Sequence, residues 1–470
     1  MLYFFPVVVM KKFIKTDRPV STHSMALGRI LRTWWPLALS WMLMNSAMPL
    51  VSAFVARLAD PEINLASYGG VISPTVSLMT APTIMLLSTA NTLVRDRLSY
   101  QRIRRYMYGI SGVMTVLHIL IAFTPLYYVL VRDIIGAPEE IIEPARLGLM
   151  IEIPWAWAIG YRRFYQGIMI RFGHAKEIWY GTAIRLVSLL LVLIVGYSLG
   201  TVPGVLMAAL AQTAGVVTEA IYAGLRARPI IRGELHYAKP VEEINLRTFS
   251  AFYIPLVITA LISNIWSPVG ATALSRLPNP ITSLAVWPVI TGLVYPLSSG
   301  GMAFNEVVVA LMEKKGSYKP LRQFSSILAI GIGLIMLIVT ATPLGYLWFH
   351  HVTALSPDLA TVASTCLWFF LPYPALKVLT SWFQGAVMHG RATRGITESV
   401  ALSLGSYIIF LVIGVASGKF LGVYITAAGM IFANLVQAYW LWRRSRPVMR
   451  DVKRRDELFE AGSALPLPSK

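Results

Sequence analysis

The chain has 470 residues, 56% of them hydrophobic and only 13% charged, with a mean hydropathy of +0.63. A soluble domain carries about a quarter of its residues as charges, so a soluble globular fold is excluded. The net charge of +19 reads as membrane topology rather than nucleic-acid affinity, because the cations fall at alternate connections between apolar runs.

Residues 1–10 are apolar and precede a basic cluster, the reverse of a signal peptide. Met1 and Met25 both stand as starts, and from Met25 residues 1–24 become an upstream extension. Residues 1–30 are read as a cytoplasmic segment. Uncharged runs at 34–56, 65–94 and 106–131 each exceed the roughly 20 residues that a helix needs to cross a bilayer. Further spans follow at 147–170, 177–199 and 202–225, completing a six-helix unit over 31–228. After a cytoplasmic linker at 229–247, a second unit over 248–446 holds spans at 248–274, 281–312, 323–349, 359–388, 399–417 and 420–442. The tail at 447–470 is cytoplasmic, and its polar end after Arg455 is expected to be loosely ordered.

The two units repeat one another. Pro36, Asn45, Pro49, Arg57, Pro61 and Leu65 recur 219 positions later as Pro255, Asn264, Pro268, Arg276, Pro280 and Leu284. Pro74, Pro82 and Asn91 recur 214 later as Pro288, Pro296 and Asn305. Pro125, the Gln166–Gly167 pair and the Arg228–Pro229 pair recur 218 later. With six spans per unit, both halves insert the same way round, as parallel repeats. The expected fold is an all-α membrane protein of 12 transmembrane helices in two parallel six-helix repeats. Thirty-two of the 41 Lys and Arg residues lie at one set of alternate connections or the termini, and only Arg57, Arg132, Arg146, Arg276 and Lys419 lie at the other set. Both termini are therefore expected in the cytoplasm.

No phosphate-loop motif is present, and the seven histidines show no zinc-ligand spacing, so neither a metal nor another cofactor is expected. Gly196–Gly200 reads G-x-S-x-G, but a nucleophile elbow needs a strand before it and this motif ends an apolar helix. No enzyme activity is expected. The lone Cys366 forms no disulfide framework.

Charges inside the spans cost at least about 2.5–3.5 kcal/mol each on insertion scales and usually face the bundle interior. Arg162, Arg163, Arg185 and Lys377 are embedded, and Arg57 and Arg276 stand at the outer ends of spans one and seven. All seven aspartates lie in connections or tails, and the embedded acids are Glu152, Glu219, Glu306 and, near one face, Glu398. A cation-rich interior suits an anion, since the guanidinium fork makes two parallel bonds to phosphate or carboxylate. The competing reading is internal pairing, Glu152 with Arg162 or Arg163 and Glu219 with Arg185, or snorkelling of Arg162 and Arg163. Under the 218 offset Arg163 falls on Ser381, Arg185 on Ser403 and Lys377 on Ile159, so these charges are not repeat architecture. The candidate substrate-binding residues are Arg162, Arg163, Arg185, Lys377, Gln166, Asn45 and Asn264. Arg57, Arg276, Glu306 and Glu152 are candidates for gating or coupling. Glu306 could instead pair with Lys314 or Lys315, and Asn45 and Asn264 could serve as interhelical hydrogen bonds. The paired prolines are expected to bend spans two and eight.

Short motifs along most of residues 30–445 resemble the progressive ankylosis (ANK) family, within the multidrug/oligosaccharidyl-lipid/polysaccharide exporter superfamily with its MATE-like fold. They are Trp35-Pro36-Leu37-Ala38, Leu65-Ala66-Ser67-Tyr68-Gly69, His118 to Ala122 and Leu274-Ser275-Arg276. The resemblance implies export of pyrophosphate, a nucleotide such as ATP, or citrate-like carboxylates. Arg57 and Arg276 match arginines of the family pattern, whereas Arg162 and Arg163 do not. The first span lacks the aspartate of drug-exporting MATE proteins. The expected function is efflux of small polyvalent anions by alternating access through a cationic central cavity. The alternatives are a flippase for a lipid-linked phosphate and an ion-coupled multidrug exporter. The expected partners are the anionic substrate, membrane lipid and a coupling ion, H+ or Na+, with no nucleic acid, for a monomer in the plasma (inner) membrane.

Overall fold

The computed structural model describes residues 27–237, 244–390 and 394–463, with side chains through 459. The N-terminal segment with Met1 and Met25, linker positions 238–243, Arg391 and tail positions 464–470 lie outside the described residues. Every regular element among the described residues is helical. Among these residues, eleven helices are long and apolar enough to cross a membrane. The span expected at 147–170 is also helical, as Glu139–Ile151 and Pro154–Arg171. Arg146, Glu152, Arg162 and Arg163 make it too polar to qualify by composition. It matches Pro357–His389 in the second half, 218 residues on.

The duplication persists in local geometry. The first span breaks at Ser46 into Leu27–Asn45 and Ala47–Val55, and the seventh breaks at Ile265 into Leu246–Asn264 and Trp266–Arg276. The cause is Pro49 and Pro268, whose missing N–H and ring disfavour the helical bond to the residue four positions earlier. Those earlier residues are Asn45 and Asn264, so both asparagines sit at a break. Pro61 and Pro280 each open a helix after a residue with left-handed backbone, Asp60 (φ 49°) and Asn279 (φ 50°).

The second and eighth spans differ. The second carries a π-helical stretch at Ser67–Ile72 and a further interruption at Met85, three residues after Pro82. The eighth runs without interruption from Pro280 to Leu311, through Pro288 and Pro296. Five more residues lie between Leu65 and Pro74 than between Leu284 and Pro288. The wider π turns stand where this insertion falls, as is usual for extra residues taken into a helix. Gly69 and Gly70 in this stretch lie against the eighth span, where a Cβ on Gly69 would sit 2.7 Å from Pro288 Cγ.

Buried side chains form three clusters. At the end opposite the basic connections, both halves share one cluster, with Val51, Val55 and Ile72 meeting Leu284, Val286 and Phe370. At the basic end each half has its own cluster. The start of the first span (Ile30) joins the cluster of the second half, and the start of the seventh (Phe249, Tyr253) joins that of the first half. The halves are thus fused at one end and separate at the other.

The last helix continues to Ser463 rather than loosening after Arg455. Asp456 Oδ2 accepts the Tyr318 N–H at 2.8 Å, and Arg455 Nη2 donates to the carbonyls of Met312 and Lys314 at 3.1 and 2.9 Å. An acid thus meets the exposed N–H groups of one helix and a cation the exposed carbonyls of another, which fixes the tail by both.

Candidate functional site

A cavity of about 450 Å³ lies between the halves. From the first half it is lined by Leu37, Trp41, Asn45 and Ser77, and from the second by Asn264, Glu306, Lys377 and Asn434 among others. Val309 and Met388, near the ends of their helices, carry the lining toward the basic end. A second space of about 360 Å³ shares Asn45, Ser267, Trp287 and Tyr295 with it and reaches into the first half, to Arg185 and Gln212.

Lys377 sits on the tenth span, one turn after Tyr373 and one before Ser381. Its Nζ donates to Asn434 Oδ1 at 2.8 Å and lies 5.0 Å from the Tyr373 ring centroid. No acid forms an ion pair with it among the described residues. In the same lining, Glu306 accepts from Trp41 Nε1 at 3.2 Å, not from Lys314 or Lys315. The asparagines at the two helix breaks bond across the halves. Asn45 Nδ2 donates to Ser299 Oγ at 3.0 Å, and Asn264 Oδ1 accepts from Ser77 Oγ at 3.0 Å.

The first half holds the densest buried charge. Arg162 forms an ion pair with Glu219, with side chains 5% and 2% exposed. Gln166 Nε2 also donates to Glu219, at 3.0 Å, and Arg163 Nη1 donates to Gln166 Oε1 at 3.3 Å. Arg162, Arg163 and Gln166 stand behind the cavity wall rather than in its lining. Glu152 accepts from the Tyr68 hydroxyl at 3.2 Å and not from an arginine. Arg185 lines the second space, has no ion-pair partner among the described residues, and leaves its Nε without a hydrogen bond. The Arg162–Glu219 and Lys377–Asn434 pairs each join residues 57 positions apart, tying span four to six and span ten to twelve. By the 218 offset Arg162 corresponds to Thr380, so the second-half tie is displaced by about one turn.

Arg57 and Arg276 lie at the fused end, away from both spaces. Arg57 Nη2 donates to the carbonyls of His351 and Val352 at 3.1 and 2.9 Å, and Arg276 Nη2 to those of Asp133 and Ile134 at 3.4 and 2.8 Å. Ser198 of the G-x-S-x-G stretch lies in the last turn of the fifth span, its hydroxyl donating to the Ile194 carbonyl at 2.8 Å, with no strand before it.

Tyr68, Gln212, Asn434 and Tyr373 are site residues that the charge-based reading passed over. Their signal is polar or aromatic spacing on one helix face: Gln212 with Glu219, Tyr373 with Lys377, and Asn434 with Gln437.

No protein-family model and no curated protein sequence matches the chain. Solved structures do. The lipid II flippase MurJ, in an inward closed conformation, superposes with a TM-score of 0.67 at 12% identity, over 92% of this chain and 94% of that one. The chain has the MATE-like fold. A MOP superfamily transporter from Pyrococcus furiosus, described as having a binding pocket of reverse polarity that suggests a different function, gives a TM-score of 0.60 at 18% identity over 91% and 96%. A point mutant of the Vibrio cholerae MATE transporter VcmN gives 0.57 at 17% identity over 90% and 97%.

Proposed function

We propose that the protein is a secondary transporter that exports small polyvalent anions, of the pyrophosphate, nucleotide or citrate type, by alternating access. The observation that carries this reading is that Arg185 and Lys377 line adjoining spaces and neither forms an ion pair among the described residues, the nearby Glu219 being paired with Arg162. An embedded cation left without a carboxylate is costly unless a ligand meets it. Charge-assisted bonds to such a ligand contribute about 1.5–3 kcal/mol each. The cavity extends toward the basic end, which the distribution of cations places in the cytoplasm, so the structure is read as open to the cytoplasm. Anions enter there and leave after the fused end parts.

The test is flux of pyrophosphate, ATP and citrate in proteoliposomes with oriented protein. Flux of at least one is expected, falling about tenfold or more in Arg185→Gln and Lys377→Gln. No flux of any of the three would remove the anion reading. The likeness to MurJ, together with the apolar part of the lining (Leu37, Val309, Met388, Val400), favours one alternative, a lipid-linked phosphate. A fluorescent polyprenyl phosphate that changes leaflet only with the protein present would select it. An ion-coupled multidrug exporter is disfavoured by Lys377 and Arg185 in the linings, set against a single carboxylate, Glu306.

A further inference from the structure

Resting on the anion-transport reading, we infer that the site is bipartite, with one anion-binding subsite in each half, and that it takes an anion carrying two charged groups at separate ends. The first subsite is the part of the smaller space that reaches into the first half, at Arg185. Gln212 stands beside Arg185 there, 6% exposed, with its Oε1 unpartnered. Buried polar groups are nearly always hydrogen-bonded, so these unpartnered atoms mark a polar ligand position rather than an apolar void, and the Gln212 amide, turned about its last bond, presents N–H donors to an anion beside Arg185. The second subsite is Lys377 with Asn434, on the second-half side of the larger cavity.

The two spaces adjoin. Asn45 and Tyr295 line both parts, and the Asn45–Ser299 bond crosses between the halves where the parts meet. The remaining embedded arginines do not compete for the ligand from the lining: Arg162 is held by Glu219 and Arg163 leans on Gln166. Each half therefore offers one cation to the adjoining spaces. A ligand with a single anionic group satisfies one of them and leaves the other bare. A ligand with two satisfies both and ties the halves together, and binding the second group then becomes an intramolecular event.

The test compares one-headed and two-headed probes on purified full-length protein in detergent, read by calorimetric titration. Propylphosphonate is the one-headed probe, and the α,ω-diphosphonates from methylene to butylene are the two-headed series. At least one two-headed probe should bind about tenfold or more tightly than propylphosphonate. That advantage should shrink to about twofold in both Arg185→Gln and Lys377→Gln, and should persist in the charge-conserving Arg185→Lys and Lys377→Arg. Equal binding of both classes, or an advantage untouched by either glutamine variant, would overturn the bipartite site and leave the anion reading standing. If monodisperse wild-type protein binds neither class, the anion reading itself fails.

Discussion

Arg57 and Arg276, 219 positions apart, hold equivalent carbonyl pairs of opposite halves. Arg57 takes His351 and Val352, and Arg276 takes Asp133 and Ile134, residues related by the 218 offset. Each arginine thus clasps the short helix that joins the third and fourth spans of the other repeat. The clasp lies at the end where the hydrophobic core is shared.

Loss of either arginine should ease opening of that end. Both side chains are exposed, so each clasp contributes only about 1 kcal/mol, or about a fivefold change in population. Spin labels on the exposed Ala59 and Ser356 should show a longer-distance component that grows in Arg57→Gln, in Arg276→Gln, and more in the double variant. The native Cys366 is buried and adds little background. Unchanged distances in the double variant would leave the arginines no gating role.

The Arg162–Glu219 pair gives a stability prediction. Removing one partner of a buried pair leaves an uncompensated charge and costs about 3–5 kcal/mol, whereas apolar replacement of both is often neutral. Glu219→Gln should therefore lower the thermal unfolding midpoint sharply. The double variant Arg162→Met with Glu219→Leu should recover much of the loss. A midpoint indifferent to Glu219→Gln would mean that the pair is not closed in the membrane.

Gly69 tests the contact between second and eighth spans. A methyl group there meets Pro288 at 2.7 Å, while one on Gly28 meets nothing within 4 Å. Overpacking costs about 1–3 kcal/mol. Gly69→Ala should destabilise the protein by that amount and Gly28→Ala should not, as measured by unfolding in detergent. Equal effects would show that the close approach is absent.

The tail helix yields a further expectation. Asp456→Ala removes the cap on Tyr318, worth about 1 kcal/mol. Arg455→Ala frees the carbonyls of Met312 and Lys314. Limited proteolysis should then cut the 312–317 connection faster in either variant than in wild type. If the cleavage rate does not change, the tail does not brace that connection.

Much of this architecture was legible in the sequence. Uncharged runs and alternating basic connections gave the spans, and repeated prolines, Asn45/Asn264 and Arg57/Arg276 gave the parallel duplication, because bilayer thickness and helix sterics act locally. The choice of partners was not legible. Glu219 meets Arg162 rather than Arg185, Glu152 meets Tyr68, and Glu306 meets Trp41. Such choices depend on how each helix is rotated about its axis, and small-residue contacts such as Gly224 on Tyr161 or Gly167 on the Leu87 carbonyl set that rotation through non-local packing. The breaks at Ser46 and Ile265 could have been read from Pro49 and Pro268, four residues after each asparagine. Attention to charge alone missed them.

The five-residue insertion in the second span also breaks the equality of the two halves. One half carries a segmented stretch, with π turns at Ser67–Ile72 and an interruption at Met85, where the other has one uninterrupted helix from Pro280 to Leu311. Gly69 and Gly70 set the π-helical stretch directly against that helix. Two identical jaws would share any movement evenly. A segmented stretch resting on an unbroken helix instead gives the two repeats no structural reason to move by equal amounts.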